Sequence, residues 1–180
     1  MSQKQGNFVD LVRLQIVLSA YFLNILHDLG IYNIIIHVEK ILISACLVGD
    51  KVNYQGKANA CPKLDLLKEK YELLVFCPEV EGGLKIPRLP NEIRDDRVIR
   101  KDGKDVTREF NEGAHKALQL CKYLGITKAV LKENSPSCGT HKIHNGYFTG
   151  VKKNGMGVTA KLLKENGIQV YSEDEIDQLL

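Results

Sequence analysis

Three cysteines in this sequence follow apolar runs that are typical of buried strands. Cys46 comes directly after the run 41–45, Cys77 follows the run 73–76, and Cys138 follows the run 129–131 by a short loop. In an open parallel sheet, ligands bind outside the carboxyl ends of the strands. We therefore expect the three thiols to face one crevice, where they could serve as soft metal ligands or as reactive groups.

The other two cysteines have simpler interpretations. Cys121 lies on the apolar face of a predicted helix, where a free cysteine behaves as a small hydrophobic residue. Cys61 precedes Pro62 at a predicted helix start, where the helix dipole could lower its pKa, but we favour a loop or capping role. Five cysteines without the dense spacing of a disulfide scaffold favour a reducing interior and a cytoplasmic location.

The residues alone leave the purpose of the three strand-end cysteines open. Their spacing matches no short ligand motif, so a shared metal site and a structural role both remain. A cysteine phosphatase is excluded because no arginine follows any of them closely enough to bind phosphate. The sequence has no P-loop, and Gly155-Met156-Gly157 lacks the third glycine of a dinucleotide fingerprint. That segment is interpreted as a helix start or as an anion site of free backbone amides.

Length and composition fit one domain. The chain has 180 residues, of which 44% are hydrophobic, so it can bury an adequate core. The net charge of +3 is mild, and lysines and arginines are spread among acidic residues. A nucleic-acid binder normally clusters its basic residues on one face, so we expect no stable nucleic-acid binding.

Residues 1–37 form an apolar N-terminal extension before the domain at 38–180. The segment 14–27 carries no formal charge but is too short for a membrane span, and Asp28 interrupts the hydrophobic region. A signal peptide is a poor match because no small-x-small cleavage site is present. The pattern predicts an amphipathic helix at about 8–29, packed on the domain or on a partner, without membrane attachment.

From residue 41 onward, apolar runs alternate with helical patterns. Strands are predicted at 41–45, 72–76, 128–132 and 168–171, and helices begin near Pro62, at Thr107, near Gly157 and after Ser172. Thr107 is predicted to cap the longest helix, and the glycine- and proline-rich connection 78–106 to be a structureless lid or binding loop. The alternation predicts a three-layer α/β fold, Rossmann-like or flavodoxin-like, with a parallel sheet flanked by helices.

Several short blocks of the sequence act together as a signature. Those that contain the cysteines are Ser44-Ala45-Cys46-Leu47-Val48-Gly49, Cys77-Pro78-Glu79-Val80-Glu81-Gly82-Gly83-Leu84 and Ser135-Pro136-Ser137-Cys138-Gly139. The others are Pro87-Arg88-Leu89-Pro90-x-Glu92-Ile93, Asp105-Val106-Thr107, Gly146-Tyr147-Phe148-Thr149-Gly150, Gly157-Val158-Thr159-Ala160 and Gly167-Ile168-x-Val170. In combination they resemble the thiouracil desulfidase family, formerly a domain of unknown function, over about residues 38–175. Residues 1–37 lie outside the resemblance.

The resemblance implies a 4Fe-4S cluster held by three cysteines, which map onto Cys46, Cys77 and Cys138. One iron would then have no protein ligand. The implied activity is removal of sulfur from 2-thiouracil, which gives uracil and sulfide without net redox change. The chemistry is reasonable because thiocarbonyl sulfur is soft and should bind an exposed iron, which as a Lewis acid would polarise the carbon–sulfur bond.

Hydrolysis also needs a base for the water and a donor for the charge that develops on the ring. The family is thought to use a Glu and the first Ser of the Ser-Pro-Ser-Cys block, which suggests Glu79 as acid/base and Ser135 as hydrogen-bond or proton-transfer partner. Glu72 and Glu81 compete for the first role. A Glu at a loop start is also a common cap or salt-bridge partner.

Other residues near the signature blocks are candidates for substrate binding. Lys132 either favours the thiolates or binds the substrate ring, and Ser137 flanks the third cysteine. Arg88 and Glu92 belong to the predicted lid and either close over the substrate or pair with each other. His141 and His144 could donate to the substrate, although histidines in surface loops are more common.

The sequence thus predicts an iron-sulfur desulfidase acting on a small thiolated base or nucleoside. Its nearest rival is a zinc or redox thiol protein that uses the same cysteines. A rival of another class is a non-catalytic module that binds sulfur or a thiolated nucleotide. Metal analysis separates the desulfidase from the zinc or redox thiol protein, because a cluster requires iron and acid-labile sulfide. Turnover separates the desulfidase from the non-catalytic binding module.

Overall fold

The computed structural model describes residues 38–59 and 61–180. Its central sheet contains four parallel strands, β1 (Lys40–Ser44), β2 (Glu72–Phe76), β5 (Lys128–Leu131) and β8 (Gln169–Ser172), in the order β2-β1-β5-β8. Two short hairpins complete the strands: β3 (Asn91–Arg94) with β4 (Arg97–Arg100), and β6 (Lys142–His144) with β7 (Lys152–Asn154). The helices are α1 (Leu64–Lys70), α2 (Pro78–Glu81), α3 (Thr107–Leu124) and α4 (Val158–Glu165), with 3-10 turns at Ala45–Val48 and Glu173–Gln178.

The sheet divides the core into two layers. Because side chains alternate along a strand, Leu42, Ala129 and Leu131 pack with α3 and α4 on one face. Residues Ile41, Ile43 and Val130 pack with α1 and the closing 3-10 turn on the other face. The predicted α/β fold, a parallel sheet flanked by helices, is therefore confirmed. Relative to chain order, the four strands are arranged 2-1-3-4, as in flavodoxin-like sheets.

The connection 78–106, predicted to be structureless, contains α2 and the β3–β4 hairpin. Val98, Val106 and Phe110 form a small third core, against which Ile93 packs. This burial explains why the segment has regular structure. Although the β3–β4 hairpin is rich in charged residues, side chains alternate along each strand, so Ile93 and Val98 share one face and pack in this core.

Two predicted helix starts differ in detail. Thr107 does not cap α3: its hydroxyl accepts from the backbone N–H of Val98, and the Asp105 carboxylate accepts the N–H of Thr107. The helix near Pro62 begins two residues later, at Leu64. Gly125, in left-handed conformation at φ 66°, ends α3 as predicted, and Ser172 with Glu175 forms the predicted capping box.

The predicted helix at 8–29 lies outside the described residues. Within residues 38–59 and 61–180, no helix is long and apolar enough to span a membrane.

Candidate active site

A cavity of about 390 Å³ lies at the carboxyl edge of the sheet, and Cys46, Cys77 and Cys138 all line it. Cys46 lies in the 3-10 turn after β1, Cys77 directly follows β2, and Cys138 lies in the loop after β5. The register aligns the last residues of β1 and β2, Ser44 and Phe76, so the segments that follow start at the same level. The sequence-based prediction that the three thiols face one crevice is confirmed.

The three thiols are largely shielded from solvent, and charge on one affects the others. Burial raises the pKa of Cys138, the Ser44 hydrogen bond lowers it, and negative charge on Cys46 and Cys77 would raise it further. Burial likewise raises the pKa of Cys46 and of Cys77. As free thiols they resist ionisation, so a metal centre that binds them as thiolates would displace protons.

The loop that carries Cys138 is held from both ends. Glu133 accepts the backbone N–H groups of Thr140 and Lys142 at 2.9 and 2.6 Å, together with the Thr140 hydroxyl. At the start of α4, the N–H of Val158 bonds to the Pro136 carbonyl. The amides near Gly155-Met156-Gly157 are thus used to fix the cysteine loop, which argues against the anion site that the sequence left open.

Cys77 and Glu79 are positioned by the close approach of two helices. A Cβ added to Gly113 on α3 would lie 1.9 Å from the carbonyl oxygen of Pro78, so only glycine lets α2 pack this closely. Cys77 directly precedes α2, and Glu79 lies in its first turn. The helix contact therefore sets where both side chains enter the cavity.

Glu79 is the centre of a buried polar cluster. Its Oε2 lies 2.8 Å from Nε of Arg88, in an ion pair whose side chains are only 12% and 7% exposed. Its Oε1 accepts from the hydroxyl of Ser135 at 3.4 Å. The Ser135 oxygen in turn accepts the N–H groups of Ser137 and Cys138, both at 3.1 Å. The predicted acid/base pair is thus in contact, beside the third cysteine.

The competing glutamates are placed elsewhere. Glu72 begins β2, at the opposite end of that strand from Cys77, and lies 3.8 Å from Lys40. Glu81 is exposed at the last position of α2 and does not line the cavity. Of the three candidates, Glu79 is the one that reaches it.

Lys132 lines the cavity and pairs with Glu173. Its positive charge lowers the pKa of Cys46 against the larger effect of burial, and a hydrogen bond from the Asn59 side chain lowers it too. The sequence left two roles for Lys132, at the thiolates and on the substrate ring, and both stay predictions.

Ser137 does not meet its prediction as a substrate-binding residue. Its side chain is buried and hydrogen-bonds the hydroxyl of Thr159 at 2.9 Å, beneath the cysteine loop. The predicted Arg88–Glu92 pair is also absent, because Arg88 binds Glu79 and Glu92 binds backbone amides. His141 pairs with Glu175 at 2.8 Å and is not among the residues that line the cavity.

The other side of the cavity comes from the two hairpins, and we call Asn91, Glu92, His144 and Phe148 the hairpin side. Oε2 of Glu92 accepts the N–H groups of Gly146 and Phe148 at 2.9 and 3.0 Å, and its Oε1 lies 3.9 Å from Nδ1 of His144. Sequence reasoning missed this carboxylate as a structural centre. A glutamate inside a charged segment gives no signal that it is buried.

Cys61 and Cys121 lie outside the cavity lining. Cys121 belongs to the core layer around α3, as predicted, and burial raises its pKa to about 11. Cys61 is 9% exposed and packs in the layer around α1. Neither thiol takes part in the candidate site.

The donor set, three cysteine thiols that line one cavity, fits an iron-sulfur cluster. Within residues 38–59 and 61–180, no three His, Cys, Asp or Glu side chains are arranged to hold one metal ion. The three thiols line one cavity, and three protein ligands are one fewer than a structural zinc site needs. Iron-sulfur clusters are polynuclear and are held by cysteine thiolates, the ligand type present here.

Fold and cavity together define a class: a parallel α/β domain with a soft-ligand site at the carboxyl edge of its sheet. Residues 41–175 match the model of the 2-thiouracil desulfurase family, and the chain belongs to that family. The uncharacterized protein YbbK of Bacillus subtilis (strain 168) is 41% identical over 150 residues, covering 78% of this chain and 99% of YbbK. The structure of the 4Fe-4S-dependent thiouracil desulfidase TudS is 49% identical with a TM-score of 0.75, covering 78% of this chain and 95% of that one.

Proposed function

We propose that this protein is an iron-sulfur-dependent desulfidase that removes sulfur from 2-thiouracil or a related thiolated pyrimidine. Cys46, Cys77 and Cys138 hold a 4Fe-4S cluster in the cavity. The observation that carries the proposal is that the three thiols and the Glu79–Ser135 pair line one cavity in a member of this family. When bound, the cluster would supply an iron without a protein ligand, which is a soft Lewis acid suited to thiocarbonyl sulfur.

The reaction that fits these groups is a hydrolysis. Water and 2-thiouracil give uracil and hydrogen sulfide: a carbon–oxygen bond forms, the carbon–sulfur bond breaks, and sulfur leaves with the bonding electron pair. No electron acceptor is needed. The chain must therefore provide a proton acceptor for the water and must manage the protons of the ring and of sulfide.

Glu79 is the proton acceptor in this proposal. Arg88 and Ser135 occupy one carboxylate oxygen each, so the group is fixed in orientation. A base held this way needs little rearrangement to take a proton from a water in the cavity. Because the Arg88–Glu79 pair is nearly buried, Arg88 acts as a positioning residue. It also lines the cavity, and the substrate contact that the sequence suggested for it stays a prediction.

Ser135 is the hydrogen-bond partner of Glu79 in this proposal. Its oxygen accepts two backbone N–H groups, so its own hydroxyl hydrogen is directed toward Glu79. A proton taken up by Glu79 can pass to the substrate ring or to departing sulfur, while the Ser135 hydroxyl keeps the carboxyl group oriented for that transfer. Lys132 stabilises the thiolate of Cys46.

Anaerobic reconstitution with iron and sulfide tests the proposal. Purified protein should be brown, contain about four irons and four acid-labile sulfides per chain, and release sulfide from 2-thiouracil. The assay should include thiolated bases and nucleosides, so that the preferred substrate is identified in the same experiment.

Two other results would replace the proposal with a rival. Colourless protein with stoichiometric zinc would indicate a zinc thiol protein. A protein that holds iron and binds 2-thiouracil, but releases no sulfide, would indicate a binding module.

A further inference from the structure

The hairpin side of the cavity carries polar groups that no part of the described chain satisfies. Asn91 is 6% exposed, lines the cavity, and its Oδ1 is buried without a hydrogen-bond partner among the described residues. Nδ1 of His144, which lines the same cavity, is likewise buried without a hydrogen-bond partner in that part of the chain; Oε1 of Glu92 lies 3.9 Å away, beyond hydrogen-bond distance. Buried polar atoms are nearly always paired, and leaving one unpaired is destabilising. Both residues line one cavity, so a ligand bound there is a candidate for the missing partner of each atom.

Phe148 adds a flat apolar surface to the same side. It lines the cavity and has a φ of 56°, in the left-handed region that a bulky residue rarely adopts. Glu92 fixes this conformation by accepting the N–H of Phe148 and that of Gly146. A strained residue of this kind persists only where its surroundings determine it, and such residues cluster at ligand sites.

We propose that Asn91, His144 and Phe148 form the subsite that recognises the substrate ring: Asn91 pairs with its N–H/C=O edge, His144 bonds a further ring polar atom, and Phe148 covers its face. This inference rests on the function proposed above and names the groups that select the substrate. Because the three residues come from the hairpins and not from the cysteine loops, recognition of the ring is separated from ligation of the cluster.

The chemistry of the edge explains the choice of a carboxamide. In 2-thiouracil, the N3–H and the C4 carbonyl lie side by side, next to the carbon that carries sulfur. A carboxamide offers one acceptor and one donor, so Asn91 can accept the N3–H through Oδ1 and donate to the C4 oxygen through Nδ2. A site built to hydrogen-bond a substrate group discriminates strongly against an analogue that lacks it, because its buried polar atoms then stay unpaired.

A cycle of substitution and substrate methylation tests the pairing. Sulfide release by wild type and by Asn91→Leu is measured with 2-thiouracil and with N3-methyl-2-thiouracil. In the wild type, the methyl group should lower kcat/KM at least about 10-fold. Asn91→Leu keeps the side-chain size, should lower kcat/KM for 2-thiouracil about 10- to 100-fold, and should reduce the penalty of the methyl group to less than about 3-fold.

Three further variants separate the roles on the hairpin side. Phe148→Leu should raise KM for both substrates by a similar factor, about 10-fold, because a stacked face does not read the N3 edge. His144→Gln should raise KM for 2-thiouracil while the penalty of N3 methylation persists. Tyr147→Phe is the control, since Tyr147 is 62% exposed and absent from the cavity lining. All variants should keep the iron content of wild type.

Several outcomes would overturn the inference. Equal loss of kcat/KM for both substrates in Asn91→Leu would mean that Asn91 does not read the N3 edge. If Asn91→Leu fails to fold, wild type alone decides: equal kcat/KM for 2-thiouracil and for N3-methyl-2-thiouracil would also mean that Asn91 does not read the N3 edge.

If wild type releases no sulfide, the proposed function fails, and the subsite is tested by calorimetric titration with 2-thiouracil. Binding that is at least about 10-fold weaker in Asn91→Leu than in wild type supports the subsite, while equal or absent binding rejects it.

Discussion

The two sides of the cavity are built differently. The thiol side, formed by Cys46, Cys77 and Cys138, extends from the buried strands β1 and β5 and from the edge strand β2, none of whose residues is buried. The hairpin side rests on strands of three or four residues, and every residue of β7 is exposed. A metal centre requires fixed ligands, whereas a side that admits and releases substrate can be less firmly held. Two of the three cysteines thus follow strands that are buried in the core.

Each side nevertheless uses the same device to fix its loop. Glu133 collects backbone N–H groups from the segment that follows Cys138, and Glu92 collects those of Gly146 and Phe148. A carboxylate that accepts several N–H groups forms charge-assisted hydrogen bonds, which are about twice as strong as neutral ones. Substitutions on the two sides should therefore have separable effects: loss of cluster or chemistry on one, loss of substrate affinity on the other.

Cys138→Ala should have the largest effect. Removing one of three ligands should prevent stable cluster binding, so iron content should fall to background and sulfide release by at least about 1,000-fold. Metal analysis and the sulfide assay measure both. Cys61→Ala is the matched control, because Cys61 is buried but does not line the cavity. If Cys138→Ala kept its iron and activity, the cluster would have other ligands.

Glu79→Gln should abolish chemistry while leaving the cluster intact. Loss of the general base should lower kcat by about 10²- to 10⁴-fold, with iron content and visible absorption unchanged. Glu81→Gln, on the same short helix but exposed, should retain wild-type activity. A Glu79→Gln enzyme with wild-type kcat would move the base to another residue.

Glu133→Gln should lower stability on the thiol side in a pH-dependent way. Burial alone would raise the pKa of Glu133, but the hydrogen bonds from Thr140, Lys142 and His141 outweigh it and lower the pKa. The ionised carboxylate therefore stabilises the fold above the unfolded pKa of about 4.3, and this contribution is lost as pH falls through the folded pKa. At pH 7 the free energy of unfolding of Glu133→Gln should be about 1.5–3 kcal/mol lower than that of wild type.

Urea unfolding of wild type and Glu133→Gln at pH 7 and near pH 4 checks this effect. The difference between the two proteins should shrink at the lower pH. Glu165→Gln, at an exposed end of α4, should stay within about 0.5 kcal/mol of wild type at both pH values. A difference that grows on acidification would contradict the lowered pKa.

The two sides also differ in how far the sequence predicts them. Cys46 and Cys77 close apolar runs, and strand ends in a parallel sheet meet at one edge, so the thiol side follows from local patterns. Glu79 and Ser135 came from the family signature, and the structure adds their contact. The hairpin side has no such pattern, because Glu92 bonds to amides 54 and 56 residues further along the chain. Asn91 in a proline- and charge-rich segment resembles a loop residue until its burial is known.

Glu92→Gln tests whether the hairpin side serves binding alone. The neutral amide keeps the size of the side chain but loses the charge that strengthens the bonds to Gly146 and Phe148. The loop should loosen and Phe148 should leave its strained conformation more often, which predicts a KM for 2-thiouracil raised about 10-fold with kcat changed less than about 3-fold.

Iron content in Glu92→Gln should equal that of wild type, since none of the three thiols bonds to Glu92. Glu112→Gln, on an exposed turn of α3, controls for removal of one negative charge and should leave KM unaltered. If Glu92→Gln instead lost iron, or lost kcat as heavily as Glu79→Gln, the two sides of the cavity would act as one unit. Substrate affinity and cluster stability would then depend on the same contacts, because a loop on one side would be holding the ligands on the other.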